Sequence, residues 1–249
     1  MMNPVLFVFS GLPGAGKTTL ARMLAAREQA CYLRIDTVEQ GLRELCSVRV
    51  EGEGYRLSYR IAGDNLRCGV PVVADCCNPI ALTRSEWREV ARGVGCEILD
   101  IEVFCSDIEE HQARVEGRTH DLGPGFRLPT WAEVRARGYQ AHEGADVRLD
   151  TAGQTPRQSF EHLQISLMRL RQHARRRPVF QQSGGAQLLQ PRQVAGAFQA
   201  EMVQELRRHH EGHGPARRHL APAETDPFHV KQLVDGAAAD RNTADLLDL

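Results

Sequence analysis

Residues Gly11 to Thr18 read GLPGAGKT, a full match to G-x-x-x-x-G-K-[ST] in the setting that motif requires. An unbroken apolar stretch from Val5 to Phe9 precedes it. A helical period from Lys17 to Ala26 follows, with Leu20, Met23 and Leu24 on one face. Strand, glycine loop and helix in that order constrain the rest of the chain to an α/β design. The glycines let backbone N–H groups converge on a β-phosphate, and the positive end of the following helix adds to that field. Lys17 then reaches the β/γ-oxygens, and the Thr18 hydroxyl ligates Mg²⁺. The cofactor-binding set is therefore Gly11, Pro13, Gly14, Ala15, Gly16, Lys17, Thr18 and Thr19, with ATP and Mg²⁺ as the expected ligands. Of 31 basic residues only Lys17 and Lys231 are lysine. An arginine-rich chain thus carries lysine where a flexible point charge is needed.

The remaining apolar runs repeat the pattern. Cys31 to Ile35 ends at Asp36, Val70 to Ala74 ends at Asp75, Ile98 to Cys105 follows, and Val147 to Leu149 supplies a fifth run. Helical segments lie between and after them at Thr37 to Leu45, Tyr55 to Cys68, Arg84 to Arg92, Ile108 to Arg118 and Pro156 to Gln172. Continuous apolar strands alternating with helices predict a parallel sheet covered on both faces. Ligands of such sheets sit at the carboxyl ends of the strands, which makes Ser10, Asp36, Asp75 and Cys105 the working edge.

Asp75 stands where a carboxylate can hold a Mg²⁺-bound water, with a turn or helix cap as the competing role. Joined to the glycine loop, the metal role is the one favoured. Asp36 on the same edge can accept a proton from an attacking hydroxyl, or cap a helix starting at Thr37. Arg114 and Arg118, four apart on one helix face, can swing toward transferring phosphoryl oxygens. They lead into THDLGPGFRLP, Thr119 to Pro129, which has two glycines, two prolines and no helical period. That stretch reads as a lid-like loop flanked by helices.

Composition sets the outer limits. The 249 residues are 42% hydrophobic and 25% charged, as in a globular α/β chain. A net charge of −1 gives no overall attraction to polyanions, so a nucleic-acid partner would need a local basic patch. The seven cysteines all fall within the first 105 residues and form no C-x-x-C pair. They read as buried free thiols in a reducing cytosol. No long apolar run or export signal stands in the sequence, so a cytoplasmic protein with no membrane partner is expected.

Residues 1–173 read as the catalytic domain and 174–249 as a C-terminal extension in which disorder is the default. One amphipathic helix is expected there, because Val194, Phe198, Met202 and Leu206 recur at four-residue spacing. His209, His210 and His213 lie in HHEGH, which is not a zinc motif, and they read as a solvated charged stretch.

Together, GLPGAGKTTLAR, LRIDTVEQGL, VVADCCNPIALTRSEWREVA, CSDIEEHQARVEGR and RLDTAG resemble the bacterial P-loop kinases often labelled AAA-family ATPases. These are relatives of gluconate, shikimate and chloramphenicol kinases and of zeta toxins, and the resemblance covers residues 3 to 172. It implies a kinase-type P-loop fold with a five-stranded parallel sheet. It also implies Asp36 as the base at the acceptor, Arg114 and Arg118 as lid arginines, and Thr151 to Gly153 near the adenine. The same resemblance implies that Asp75, Asn78 and Arg84 fall where the acceptor pocket opens. Cys76-Cys77 after Asp75 departs from the family's usual small polar and aliphatic pair, and the extension has no counterpart in it.

The expected function is transfer of the ATP γ-phosphate to a hydroxyl of a small-molecule acceptor. A polynucleotide 5′-hydroxyl kinase is one alternative. A nucleotide-dependent regulator that binds a protein partner through its tail is another.

Overall fold

The computed structural model describes residues 3–123 and 125–176. The expected amphipathic helix and the histidine-rich stretch lie outside them. Five strands, β1 (Val5–Ser10), β2 (Cys31–Arg34), β3 (Val72–Asp75), β4 (Glu97–Phe104) and β5 (Val147–Asp150), form one sheet in the order β2-β3-β1-β4-β5. Every pairing is parallel. The helices are α1 (Lys17–Glu28), α2 (Ile35–Cys46), α3 (Glu53–Arg67), α4 (Ala81–Val94), α5 (Ile108–Gly117), α6 (Trp131–Ala136) and α7 (Pro156–Arg176).

β1 is apolar from Val5 to Phe9 because it is the central strand, covered on both faces. Phe7 and Phe9 face one core with Val73, Ile101 and Leu149, closed by Leu20 and Leu24 of α1 and Leu163 and Leu167 of α7. Leu6 and Val8 face a second core with Leu33 and Ala74, closed by Tyr59 and Leu66 of α3 and Trp87 of α4. Trp87 is fully buried and meets Tyr59 edge-on at 4.6 Å. Because strand side chains alternate between faces, Asp75 lies on the α1 side with Val73, and Ser10 on the α3 side with Val8.

Three local expectations change. α2 begins at Ile35, with Arg34 as the residue before its first turn, because Ile35 is pulled into the second core. Asp36 therefore does not cap the helix; it sits in the first turn, where the positive end of the helix favours a carboxylate. α5 ends at Gly117, and Arg118 is already extended at φ −78°, ψ 149°, so Arg114 and Arg118 do not share a helical face. Of the seven cysteines, all free, only Cys76 is buried, and Cys46 and Cys68 are exposed at the ends of α2 and α3.

α6 was not expected from periodicity. It is short, and a capping box starts it: the Thr130 side chain accepts from the Glu133 N–H while the Glu133 carboxylate accepts from the Thr130 N–H. The intervening stretch, described except at residue 124, has no helix or strand, and α5 and α6 flank it. α7 runs to Arg176, so the boundary expected after residue 173 falls within its last turn. No helix among the described residues is long and apolar enough to cross a membrane.

Candidate active site

The glycine loop leaves β1 at the middle of the sheet and is fixed by its neighbours. The Gly11 N–H donates to the Cys77 carbonyl at 3.0 Å, tying the loop to the segment after β3. A Cβ on Gly11 would sit 2.1 Å from the Val103 carbonyl oxygen, and one on Gly14, at φ +84°, 2.5 Å from Val115 Cγ2. Gly16, at φ 98°, precedes α1. Only glycine satisfies these positions, and the result is a concave run of backbone opening at the helix terminus. Lys17 folds back over it, Nζ donating to the Leu12 carbonyl at 2.8 Å.

Side chains from distant segments brace the loop. His111 Nε2 lies 2.9 Å from the Pro13 carbonyl, and its ring meets Trp131 edge-on at 5.1 Å. α5 and α6 are thereby seated over the loop. Thr151 is buried, its hydroxyl 3.1 Å from both the Ala15 and Phe104 carbonyls. Arg114 donates to the Thr151 hydroxyl at 2.8 Å, to its carbonyl at 2.9 Å, and to Glu110 at 2.6 Å. Gly153 N–H donates to Glu110 at 2.8 Å. Arg114, Thr151 and Gly153 thus form one group behind the loop.

Asp75 ends β3, paired in register with Phe9 on one side and Arg34 on the other. It is buried and accepts a 2.7 Å hydrogen bond from the Tyr32 hydroxyl. Burial, then the Asp75 charge, pushes the Tyr32 phenol well above its ordinary range, so it stays a donor. Asn78, left-handed at φ 48°, donates from Nδ2 to Ser10 at 3.0 Å and from its backbone N–H to the Tyr55 hydroxyl at 2.9 Å. Its Oδ1 is buried without a partner.

Arg84, expected in the acceptor pocket, is buried and committed to backbone. Its nitrogens donate to the carbonyls of Asn78 at 3.1 Å, Ala141 at 3.3 Å and Pro79 at 3.4 Å, and to that of Gln140. It clamps the segment before α4 to the one before β5. Glu102 stands beside this clamp, accepting from the His142 N–H, the Tyr139 hydroxyl and Arg148. Burial would raise the Glu102 carboxyl, but these donors outweigh it and hold the group below the usual carboxylate range.

The other half of the edge is formed by the β2–α2 junction. Asp36 has an exposed carboxylate with Arg34 Nη2 at 3.9 Å. Arg34 also donates to Asp121 of the α5–α6 loop at 2.6 Å, and Arg22 of α1 grips the second oxygen of that carboxylate. Arg118 is half-buried, which pulls its pKa down. The Asp36 charge opposes that shift, while Arg137 and Arg34 add to it. Loop and α2 also approach each other closely: a Cβ on Gly125 would lie 3.2 Å from Glu44 and 3.4 Å from Gln40.

Lys17, Asp75 and Asn78 therefore gather around the end of β1, with Thr18 in the first turn of α1, while Asp36 and Arg118 gather around the end of β2. Sequence reasoning missed Tyr32, Arg34, Asp121 and His111. The strand-edge rule that selected Asp36 applied equally to Arg34, the last residue of β2.

Among the described residues no cluster of three or more His, Cys, Asp or Glu could hold a metal ion by itself. A buried carboxylate at Asp75 and the hydroxyl of Thr18 in the first turn of α1 are donors of the kind that suits Mg²⁺, which takes most of its ligands from phosphate oxygens and water.

Residues 6–138 match the family described as AAA domain. A comparison with curated proteins returns no match. Among solved structures, the chain is similar to the Mycobacterium tuberculosis APS kinase in complex with AMPPNP and APS, at 19% identity and a TM-score of 0.50, over 68% of this chain and 99% of that one. It is similar also to a gluconokinase from Sinorhizobium meliloti 1021, at 19% identity and 0.50, over 70% and 98%. The shared fold is that of P-loop kinases.

Proposed function

We propose, from the premise that this chain belongs to the AAA domain family, that it is a kinase moving the γ-phosphate of ATP to a hydroxyl of a small-molecule acceptor. The observation that carries this reading is the pairing of two strand ends. A carboxylate beside the glycine loop, Asp75, is next to Arg34 in register, and Arg34 in turn lies 3.9 Å from a second, exposed carboxylate, Asp36. A phosphate cradle and a separate proton acceptor on one edge are what phosphoryl transfer to an alcohol needs.

In this reading the backbone of Gly11 to Lys17 receives the β-phosphate. Lys17 exchanges its bond to the Leu12 carbonyl for the β/γ-oxygens. Thr18 and Asp75 are the residues that would hold Mg²⁺, which when bound would supply neutralisation of the phosphate charge. Asp36 accepts the acceptor's proton as that oxygen attacks. Arg118, short of partners, can stabilise the transferring group as the α5–α6 loop closes. Arg114 and Arg84 act as positioning residues, one holding Thr151 to the loop and the other holding the segment that ends at Asn78. The likeness to an APS kinase and to a gluconokinase supports a hydroxylated small molecule as the acceptor class.

The test is transfer of labelled γ-phosphate from ATP·Mg²⁺ to pooled hydroxylated acceptors by the full chain, with Lys17→Ala and Asp36→Asn alongside. Loss of transfer in both supports the reading. Release of phosphate to water alone, abolished by Lys17→Ala and indifferent to Asp36→Asn, sinks it and favours a nucleotide switch.

A further inference from the structure

The β2–α2 junction holds more positive charge than the kinase reading uses. Arg34 has a side chain only 11% exposed, yet its strongest partner, Asp121, is 55% exposed on the α5–α6 loop. A buried guanidinium held mainly by a surface carboxylate is an unusual arrangement. Burying the cation costs free energy, and a solvated partner on a loop does little to offset it. Arg34 Nε and Arg118 Nε are both buried with no hydrogen-bond partner. Two orphaned guanidinium donors at one junction call for acceptors that the protein does not supply. Arg22 reaches the same point from α1 and shares the Asp121 carboxylate. Asp36, Arg137 and Arg34 all lie within electrostatic reach of Arg118.

The geometry is that of a fork. Arg34 Nη1 is 2.6 Å from one Asp121 oxygen while its Nη2 is 3.9 Å from Asp36. An oxyanion in the place of the Asp121 carboxylate would therefore be held one guanidinium width from the carboxylate assigned as base. We infer that Arg34 and Arg22, with Arg118 beside them, form an anion subsite for the acceptor, and that Asp121 fills it when no acceptor is bound. The acceptor is then a small hydroxylated compound bearing a phosphate, sulfate or carboxylate group a few bonds from the hydroxyl that is phosphorylated. This assignment of acceptor class rests on the kinase reading above. Planar, bidentate recognition of oxyanions is the chemistry arginine performs better than lysine. The loop that bears Asp121 would be released from Arg22 and Arg34 as the acceptor's anion enters.

The test uses inorganic phosphate as the probe, titrated calorimetrically at constant ionic strength into the full chain already saturated with AMPPNP·Mg²⁺, so that the glycine loop is occupied. Wild type is compared with Asp121→Asn, with Asp121→Asn/Arg34→Gln and with Asp121→Asn/Arg118→Gln. Asp64→Asn, which removes an exposed carboxylate paired to Arg67 on α3, controls for surface charge alone. The expected result is that Asp121→Asn binds phosphate about tenfold tighter, the size of one charge-assisted interaction. Adding Arg34→Gln should abolish the gain and adding Arg118→Gln should reduce it, with Asp64→Asn unchanged. Should a double variant lose AMPPNP binding, Asp121→Asn/Arg22→Gln takes its place, since Arg22 is half-exposed.

No gain in Asp121→Asn, an equal gain in Asp64→Asn, or a gain that survives loss of the arginines overturns the inference. Those outcomes leave γ-phosphate transfer untouched. Conversely, a phosphate gain in a chain that phosphorylates no alcohol would retain the anion subsite and sink its assignment to a kinase acceptor.

Discussion

The Tyr32 hydroxyl donates a 2.7 Å hydrogen bond to the Asp75 carboxylate, joining β2 to the end of β3 just below the glycine loop. Asp75 is buried, and the Tyr32 hydroxyl donates to it from the protein side. Tyr32→Phe should cost roughly 1.5–3 kcal/mol of stability, the range for hydrogen bonds to charged groups. It should also raise the Mg²⁺ concentration needed for half-maximal transfer, because a less constrained Asp75 is a poorer ligand. Denaturant unfolding and a Mg²⁺ titration of activity check the two effects separately.

Lys17→Ala and Asp36→Asn should differ in kind. In the proposed reading Lys17 serves the nucleotide, so its loss should weaken AMPPNP binding as well as abolish turnover. In the same reading Asp36 serves the acceptor alone, so Asp36→Asn should lower kcat about 10²–10⁴-fold, the usual contribution of a positioned base, while AMPPNP affinity stays within about twofold of wild type. A large loss of AMPPNP affinity in Asp36→Asn would contradict the assignment.

Gly14 and Gly69 offer a matched pair. Both have φ near +80°, but a Cβ at Gly14 meets Val115 at 2.5 Å and one at Gly69 meets nothing within 4 Å. Gly69→Ala should carry only the backbone cost of about 1–2 kcal/mol and leave nucleotide binding intact. Gly14→Ala should show a larger fall in melting temperature and at least about tenfold weaker AMPPNP binding, because α5 must shift to admit the methyl group. Equal behaviour of the two variants would mean that α5 does not press on the loop.

His142 predicts a pH dependence of stability. It is buried beside Asp100 and Arg88, with Arg84 and Glu102 also acting on it. Burial lowers its pKa, Asp100 opposes that, and Arg84 and Arg88 reinforce it. The unfolded chain therefore binds the proton more readily than the folded one. The stability contributed is fully present above the unfolded value of about 6.5 and is lost as pH falls from there through the folded value. Urea midpoints between pH 5 and 8 should drop on the acid side in wild type and drop less in His142→Gln. An unchanged acid slope would remove His142 as the cause.

Trp87→Ala should be among the most damaging core changes, about 3–5 kcal/mol, since the ring is fully buried and stacks edge-on against Tyr59. Differential scanning calorimetry reads the loss directly.

How far the sequence anticipates this molecule depends on the range of the interactions involved. β1, the glycine loop and Asp75 are legible because strand period, motif and strand-edge rule act within a few residues. The strand-edge position of Asp36 is legible but its local structure is not, because the helix start is decided by burial of Ile35 in a core built by α3 and α4. The shared face expected of Arg114 and Arg118 fails because α5 stops at Gly117, and no periodicity marks that stop. Tyr32, Arg34 and Asp121 escape for another reason. Arg34 and Arg22 meet Asp121 across 87 and 99 residues of chain, and an arginine at a strand end looks like any solvated cation until its partner is known.

The Gly11 N–H bond to Cys77 and the Thr151 hydroxyl beside Ala15 pin the phosphate loop from opposite sides of the sheet. Arg34, Asp36, Arg118 and Asp121, in contrast, stand at helix ends and on one loop. If the proposed acceptor site is correct, a lineage carrying this scaffold can exchange its acceptor by point changes along that rim while the cradle is left alone. Substrate identity and nucleotide use would then be inherited as nearly separate traits, and laboratory evolution toward a new acceptor should begin at those four positions.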